Sequence, residues 1–448
     1  MGDPSEDARP GNAEDGQTTP LSPGHRTIPI IIVPGIMGSR LSDTQDNLVW
    51  NPTGTPLGRD AGLLAADVGK LSDVKRRLVP DTTNVFNSFN EIFHKRRAAP
   101  IVNFYHLIGD FYRDICFAMS EKLPTVLKAA GKNVSTRVYG SGYDWRQDNA
   151  ESSLLLGKVV AQAQKDCDGE QVILIAHSMG GLVSRYYCKS GGEKNVRALF
   201  LLGSPTLGAP KAYGLLKQGM PAAPHVGVVD TLLRLLLLES FTERDSRDLL
   251  RRLPSTYQLA PTSLYGRKVD GRWLSFDPAE TGFPEKWTSP GNPKPDPVAQ
   301  FDDCTVSSSE IYLDLYTGFM NVLRERTANE ANVFLARAFH NFLTEPNRTT
   351  YMPPHTFSIF TNDKDTVIGA GVELVEVAMV RSTVFLHLKE MTVTKAHRGD
   401  GTVPAGSADP PVNSPFEGTL VCSNVEHGAI PADPKVIRYI MDKIVTLV

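Results

Sequence analysis

In the stretch "VILIAHSMGGLVSRYYC" (172–188) a serine, Ser178, stands between a run of apolar residues and a helix-like pattern. On a strand-to-helix corner a serine is lifted clear of the sheet: its Oγ is exposed and the N–H of the next residue faces the same space. Gly180 and Gly181 on one side and Ala176 on the other are small enough to let the backbone bend that sharply. The pattern differs from Gly-x-Ser-x-Gly by the one methyl of Ala176. The alternative is a serine that merely caps a helix N-terminus.

A hydroxyl is a poor nucleophile until a base takes its proton, and the base needs an acid to fix its tautomer. After a nucleophile on such a turn the partners follow in the order Ser, Asp, His. Of the ten histidines, His427 in "SNVEHGAIP" fits that order, because it falls in a loop between the last strand-like run and the last helical one. His177 abuts the serine itself, and His25 belongs to the polar N-terminal stretch. For the acid, Asp400 in the Gly-rich "HRGDGTVPAGS" and Asp363 or Asp365 in "FTNDKDTVIG" are all eligible on the residues alone. The charge that develops on a substrate carbonyl oxygen must meet preorganised N–H donors. Met179, which follows the serine, is the first; Ile36 in "VPGIMGS", after the first apolar strand, is the second, with Gly35 permitting close approach.

These residues need a frame. Short continuous apolar runs at "TIPIIIVPGIMGS" near the start, 135–140, 171–177, 196–205, 355–362 and 418–423 read as buried strands. Helical stretches at 151–166, 179–190 and 433–446 separate several of them. Continuous rather than alternating strands, interleaved with helices, predict an α/β architecture: a mainly parallel sheet with helices on both faces. The rhythm breaks between about 206 and 350, where Leu-rich helices, the Pro- and Gly-rich 277–297 and a helical pattern near 307–343 read as a large helical cap insertion. The expected organisation is therefore a disordered leader (1–27), a first core part (28–205), the cap (206–350) and a second core part (351–448).

Composition sets the outer limits. The chain has 448 residues, 41% of them apolar, and a formal net charge of -3, which offers no bias toward nucleic acid or anionic membrane. Residues 1–27 carry Pro, Gly and charge with almost no large apolar side chain, so they lack both the surface to order themselves and the apolar stretch of an export signal. The default location is the cytoplasm. The five cysteines are odd in number and lack metal-ligand spacing, so neither a disulfide framework nor a metal site is expected. The most apolar run, 226–241, is interrupted by Asp230 and Arg234; its apolar circumference favours burial over a role as a lipid-facing helix in transient contact with a membrane surface.

Six motifs in order, "IIIVPGIMGSRL", "GYDWRQ", "AHSMGGLVSRYY", "LLGSPTLGAPKA", "LPSTYQLAP" and "GDGTVP", make the chain resemble the lecithin:cholesterol acyltransferase-like family of α/β hydrolases over nearly all of 28–448. The resemblance implies the α/β-hydrolase fold, Ser178 as nucleophile, Asp400 as acid, His427 as base, and the N–H groups of Ile36 and Met179 as oxyanion hole. It also implies that Trp145 of "YDWR" lies beside the acyl site; a Trp packed under the cap is the competing reading. Asp144 and Arg146 read as a structural ion pair. Secreted members carry a disulfide-bounded lid near the N-terminus, whereas 41–58 here has no cysteine and resembles bacterial-type members, with Trp50, Asn51 and Pro52 after "PGIMGSRL". The implied chemistry is O-acyl transfer from a lipid ester through an acyl-serine to a lipid alcohol, or to water if the protein is a lipase or phospholipase, with no cofactor. The rival from another class is a catalytically silent hydrolase fold that only binds.

Overall fold

The computed structural model describes residues 26–39, 112–218, 250–261, 328–344, 351–380, 383–409 and 416–448, with the backbone of short strands at 41–43, 48–50, 78–80, 268–269 and 272–273. The expected leader up to residue 25, the apolar run 226–241, the Pro-rich 277–297 and the helical pattern over 307–327 lie outside these residues.

The six apolar runs are the six strands of one parallel sheet. They are β1 (Arg26–Val33), β2 (Val134–Gly140), β3 (Val172–His177), β4 (Val196–Leu202), β5 (Thr356–Thr361) and β8 (Gly418–Cys422). They lie in the order β8-β5-β4-β3-β1-β2, every neighbouring pair parallel. β1 starts inside the expected leader, because Arg26 pairs with Val134 in the ladder and its guanidinium donates to Glu170 at 2.5 Å and 2.9 Å.

The continuous apolar character of the strands reflects burial on both faces. Ile31 and Val33 of β1, Leu174 and Ala176 of β3, and Leu199 and Leu201 of β4 point into one core. Ile30 and Ile32, Ile173 and Ile175, and Phe200 and Leu202 point into the other. The first core is closed by α3 (Asn149–Asp166) and α4 (Met179–Tyr187). Asp148 starts α3 by accepting from the Ala150 N–H at 2.8 Å, which satisfies one of the donors a helix end leaves open. The second core is closed by the helical stretch 113–129, made of α1 (Arg113–Phe117), a π-helical turn and α2 (Leu123–Ala129), and by α9 (Pro434–Leu447). In α9, Val436, Ile437, Ile440 and Ile444 recur at helical spacing and are all buried, behind an Asp433 cap that accepts from Lys435 and Val436 N–H.

Between β4 and β5 come α5 (Lys211–Gln218), α6 (Pro254–Gln258) and α7 (Ala328–Thr344). The described parts of this connection share the first core: Leu253, Phe339 and Leu343 belong to it, and Tyr186 of α4 stacks on Phe339 with ring centroids 5.2 Å apart. After β5 the chain forms a long antiparallel hairpin, β6 (Asp365–Val380) and β7 (Thr383–His397), which the sequence reading did not contain. Its base returns the chain to the sheet: Lys364 N–H donates to the Gly399 carbonyl at 2.9 Å and Gly401 N–H to the Thr366 hydroxyl at 2.9 Å. A short helix, α8 (Ala405–Ala408), follows before β8. No helix among the described residues is long and apolar enough to cross a membrane.

Candidate active site

A parallel sheet gathers its strand ends, and loops that leave the carboxyl ends of neighbouring strands meet above the edge where the strand order reverses. Here the sequence runs outward in both directions from β1, and the connections after β1, β3, β4, β5 and β8 supply the site.

Ser178 follows His177, the last residue of β3, and precedes α4. Its backbone sits at φ 52°, ψ -127°, a conformation that L side chains rarely adopt and that costs about 1–3 kcal/mol. The tertiary structure holds it there: Ser178 N–H donates to the Leu202 carbonyl at 2.9 Å, and the Ser178 carbonyl accepts from Gly181 N–H and the Ser204 hydroxyl, both at 3.0 Å. Its side chain makes no cap to α4, so it is not serving as an ordinary N-cap. Instead Oγ lies 2.9 Å from His427 Nε2. His427 Nδ1 is 2.6 Å from Asp400 Oδ2, and Asp400 Oδ1 accepts from Thr402 and Val403 N–H at 2.9 Å and 2.7 Å. His427 N–H also donates to the Asp400 carbonyl at 2.9 Å. The three side chains are buried, with Ser178, Asp400 and His427 exposed by 5%, 1% and 5%. A carboxylate that accepts from Nδ1–H leaves Nε2 as the lone-pair nitrogen, and that nitrogen faces the hydroxyl whose proton it can take.

The other two acids lie elsewhere. Asp365 is at the base of the hairpin, its side chain 82% exposed, paired with His397 at 3.2 Å. Asp363 accepts from Asn424 N–H at 2.9 Å and 2.8 Å and so ties down the loop that carries His427.

The loop after β1 presses directly on the serine. A Cβ on Gly35 would stand 2.8 Å from Ser178 Cβ, and one on Gly180 would stand 2.5 Å from the Val33 and Pro34 carbonyl oxygens. These two positions are glycine because loop and helix start have no room between them. Gly38 N–H closes a turn onto the Gly35 carbonyl at 3.1 Å, with Met37 at φ 64° where such turns usually place glycine. Ile36 is the second residue of that turn, so its N–H is outside the turn's own bond. Met179 is the first residue of α4, and the first N–H groups of a helix have no partner within it. Trp145 is 4% exposed and shares the first core with Met37 and Met179. Asp144 and Arg146 form a buried two-pronged ion pair, Oδ1 to Nε and Oδ2 to Nη2, both at 2.9 Å.

Burial sets the electrostatics around the serine. His177 lies between Tyr112 and His427, and desolvation first, then the neighbouring His427, push its pKa down to about 3. The thiols of Cys116, Cys188 and Cys422 are raised by desolvation and stay protonated near neutrality. Among the described residues no group of His, Cys, Asp and Glu is arranged to hold a metal ion.

The sequence reading did not anticipate Gly203 or Tyr112. Gly203 directly follows β4 at φ 56°, and a Cβ there would stand 2.9 Å from Asp400 Oδ2 and 3.0 Å from His427 Nδ1. A glycine directly after an apolar strand was the available signal. Tyr112 bonds Gly35 across 77 residues of sequence, a separation that leaves no local trace.

The profile of the lecithin:cholesterol acyltransferase family matches residues 117–228, the part that carries β2, β3, β4 and Ser178. Over that segment, about a quarter of the chain, the protein is similar to this family. The chain is 36% identical over 90 residues to phospholipase A(1) LCAT3 of Arabidopsis thaliana, which is 19% of this chain and 20% of that protein. It is 34% identical over 89 residues to the lysosomal phospholipase A and acyltransferase of Bos taurus, 18% of this chain and 22% of that protein. The match thus spans about a fifth of the length of these curated relatives. Beyond the segment, one chain of the Tle4–Tli4 complex superimposes with a TM-score of 0.51 at 14% identity, over 94% of this chain and 98% of that one. The shared architecture is the α/β-hydrolase fold, a parallel sheet with helices on both faces.

Proposed function

We propose that this chain transfers acyl groups from a lipid ester through an acyl-serine at Ser178, as an O-acyltransferase when the acceptor is a lipid alcohol. The observation that carries this reading is the continuous bond from Ser178 Oγ to His427 to Asp400, at 2.9 Å and 2.6 Å, in a family segment whose relatives are named phospholipases.

His427 Nε2 takes the Ser178 proton as Oγ bonds to the ester carbonyl carbon, and the carbonyl oxygen becomes an oxyanion that accepts from the Ile36 and Met179 N–H groups. Collapse breaks the bond to the alcohol oxygen, which leaves with the proton from Nε2. The acceptor alcohol then gives its proton to Nε2, attacks the acyl-serine carbonyl, and departs as the new ester while Oγ recovers its proton. Asp400, which accepts from His427 Nδ1–H, orients the imidazole and stabilises the imidazolium. Burial of all three side chains strengthens each of these charge interactions. No step calls for a metal or organic cofactor. Trp145, packed in one core with Met37 and Met179, walls the acyl side of this site.

Transfer to water is the second reading, favoured by the name phospholipase A(1) of the Arabidopsis relative. One experiment separates the readings. The purified chain and its Ser178→Ala variant are first reacted with a fluorophosphonate probe, then incubated with phospholipid vesicles containing a long-chain alcohol, and the lipids are resolved by mass spectrometry. Transferase activity gives new esters of the added alcohol, lost in Ser178→Ala. Free fatty acid alone assigns the hydrolase, and a folded protein that ignores the probe overturns catalysis in favour of a binding role.

A further inference from the structure

His177, passed over as a base because it adjoins the serine, is the centre of a second hydrogen-bonded chain. Its Nε2 is 3.0 Å from the carbonyl oxygen of His427, and its Nδ1 is 2.9 Å from the Tyr112 hydroxyl. That hydroxyl in turn accepts from Gly35 N–H at 2.8 Å. The imidazoles of His177 and His427 lie with centroids 4.9 Å apart, and the Tyr112 ring meets His177 edge-on at 5.8 Å.

Every proton in this chain is assigned by its neighbours. A peptide carbonyl can only accept, so His177 Nε2 carries the hydrogen. The imidazole is neutral, since burial pushes it down to about 3, and Nδ1 therefore holds a lone pair. The Tyr112 hydroxyl must donate to that lone pair, which leaves its oxygen to accept from Gly35. Burial also raises the Tyr112 phenol, which keeps its proton in place. The direction of the chain is fixed: Gly35 N–H to Tyr112 O–H to His177, and His177 N–H to the His427 carbonyl.

The ends of this chain are the informative part. One is the residue before Ile36, the other is the backbone of the imidazole that faces Ser178, and the middle is the residue before Ser178. The loop after β1, the end of β3 and the segment that carries His427, which meet only in the fold, are thus joined by one set of polarised bonds.

The geometry points to Tyr112 and His177 as positioning residues, a brace that fixes the Gly35–Gly38 turn, with its Ile36 N–H, at a set distance from the imidazole of His427. It touches neither substrate nor the moving proton. It rests on the roles given to Ser178, His427 and Ile36 above, and adds that the donor and the base are held by one device.

The test uses the full chain with Tyr112→Phe, His177→Gln and the double variant, each assayed on a soluble ester well below its melting temperature. Tyr112→Phe keeps the ring and removes only the bridge. The expected result is kcat lower by about 10- to 100-fold with KM within about twofold, because misplaced groups weaken the transition state more than the bound ester. In kcat the double variant should match the worse single variant, since either change opens the same chain. Independent packing contacts would instead multiply, and that outcome overturns the brace. So does a kcat for Tyr112→Phe within about twofold of wild type. If Tyr112→Phe does not fold, His177→Gln decides alone by the same split of kcat and KM. Fluorophosphonate labelling of the wild-type chain tells the two failures apart: a labelled wild type with normal Tyr112→Phe turnover sinks only the brace, and an unlabelled wild type sinks the catalytic reading on which it stands.

Discussion

Replacing Gly203 by alanine tests the site through a residue that carries no functional group. Gly203 adopts φ 56°, where an L side chain costs about 1–2 kcal/mol of stability. The added methyl would stand 2.9 Å from Asp400 Oδ2 and 3.0 Å from His427 Nδ1, roughly 0.5 Å inside ordinary contact distance for a carbon. Both atoms belong to the 2.6 Å bond between the carboxylate and the imidazole, so relief of the clash by the carboxylate lengthens that bond to roughly 3.1 Å or bends it. Asp400 Oδ1 is held by two backbone N–H groups, which limits how far the carboxylate can turn without losing them. A hydrogen bond to a charged group contributes about 1.5–3 kcal/mol, which converts to a loss of about 10- to 100-fold in kcat. The assay is steady-state hydrolysis of a chromogenic ester, with circular dichroism and a melting curve to show that the fold survives. A folded Gly203→Ala chain with kcat within about twofold of wild type would refute the claim that this carboxylate–imidazole contact drives turnover.

Asp400→Asn leaves shape unchanged but removes the charge that fixes the imidazole, and turnover should fall by about 10³–10⁴-fold, whereas Asp365→Asn, at an exposed pair with His397, should change it by less than about twofold; the reverse ranking would move the acid role. Stability should also respond to acid through His177 and His340, both buried and pushed down by desolvation, to about 3 and about 4. Because the folded values lie below the ordinary 6.5, the unfolded chain binds protons that the folded chain refuses. Stability is therefore full above about pH 6.5 and falls as pH drops toward 4, by roughly 1.4 kcal/mol per pH unit for each histidine. His340→Gln, whose amide still reaches the Gln258 carbonyl, should flatten urea-unfolding free energies between pH 6 and 4.5 by close to one proton; an unchanged slope would show that His340 does not contribute.

The sheet was readable because its strands are buried on both faces. Unbroken apolar runs such as Ile28–Val33 and Val172–Ala176 have few other uses, and the glycines and prolines after them mark where the strands stop. The turn at Ser178 was readable for a related reason: contact with the Pro34 and Val33 carbonyls leaves no room for a side chain at Gly180, and that constraint is written as a glycine. The choice among Asp363, Asp365 and Asp400 was not readable from residues alone. All three are acids near the hairpin base, and what separates them is the burial and the partner that the fold gives each: Asn424 for Asp363, His397 for the exposed Asp365, and His427 for the buried Asp400. The hairpin itself left a weak trace, since Gly369 and Gly371 interrupt its alternation and three register shifts break its period. Tyr112 left none, because its contacts with Gly35 and His177 span 77 and 65 residues and follow from the packing of 113–129 against the sheet.

Ser178 and His427 touch across 249 residues of intervening chain. A ribosome adds roughly 5–20 residues each second, so about 12–50 s separate the making of the hydroxyl from the making of its imidazole. Through that interval Ser178 has no His427 to pair with. The pairing of hydroxyl with imidazole is thus among the last contacts the polypeptide can make, because it waits on the segment that also carries the edge strand of the sheet.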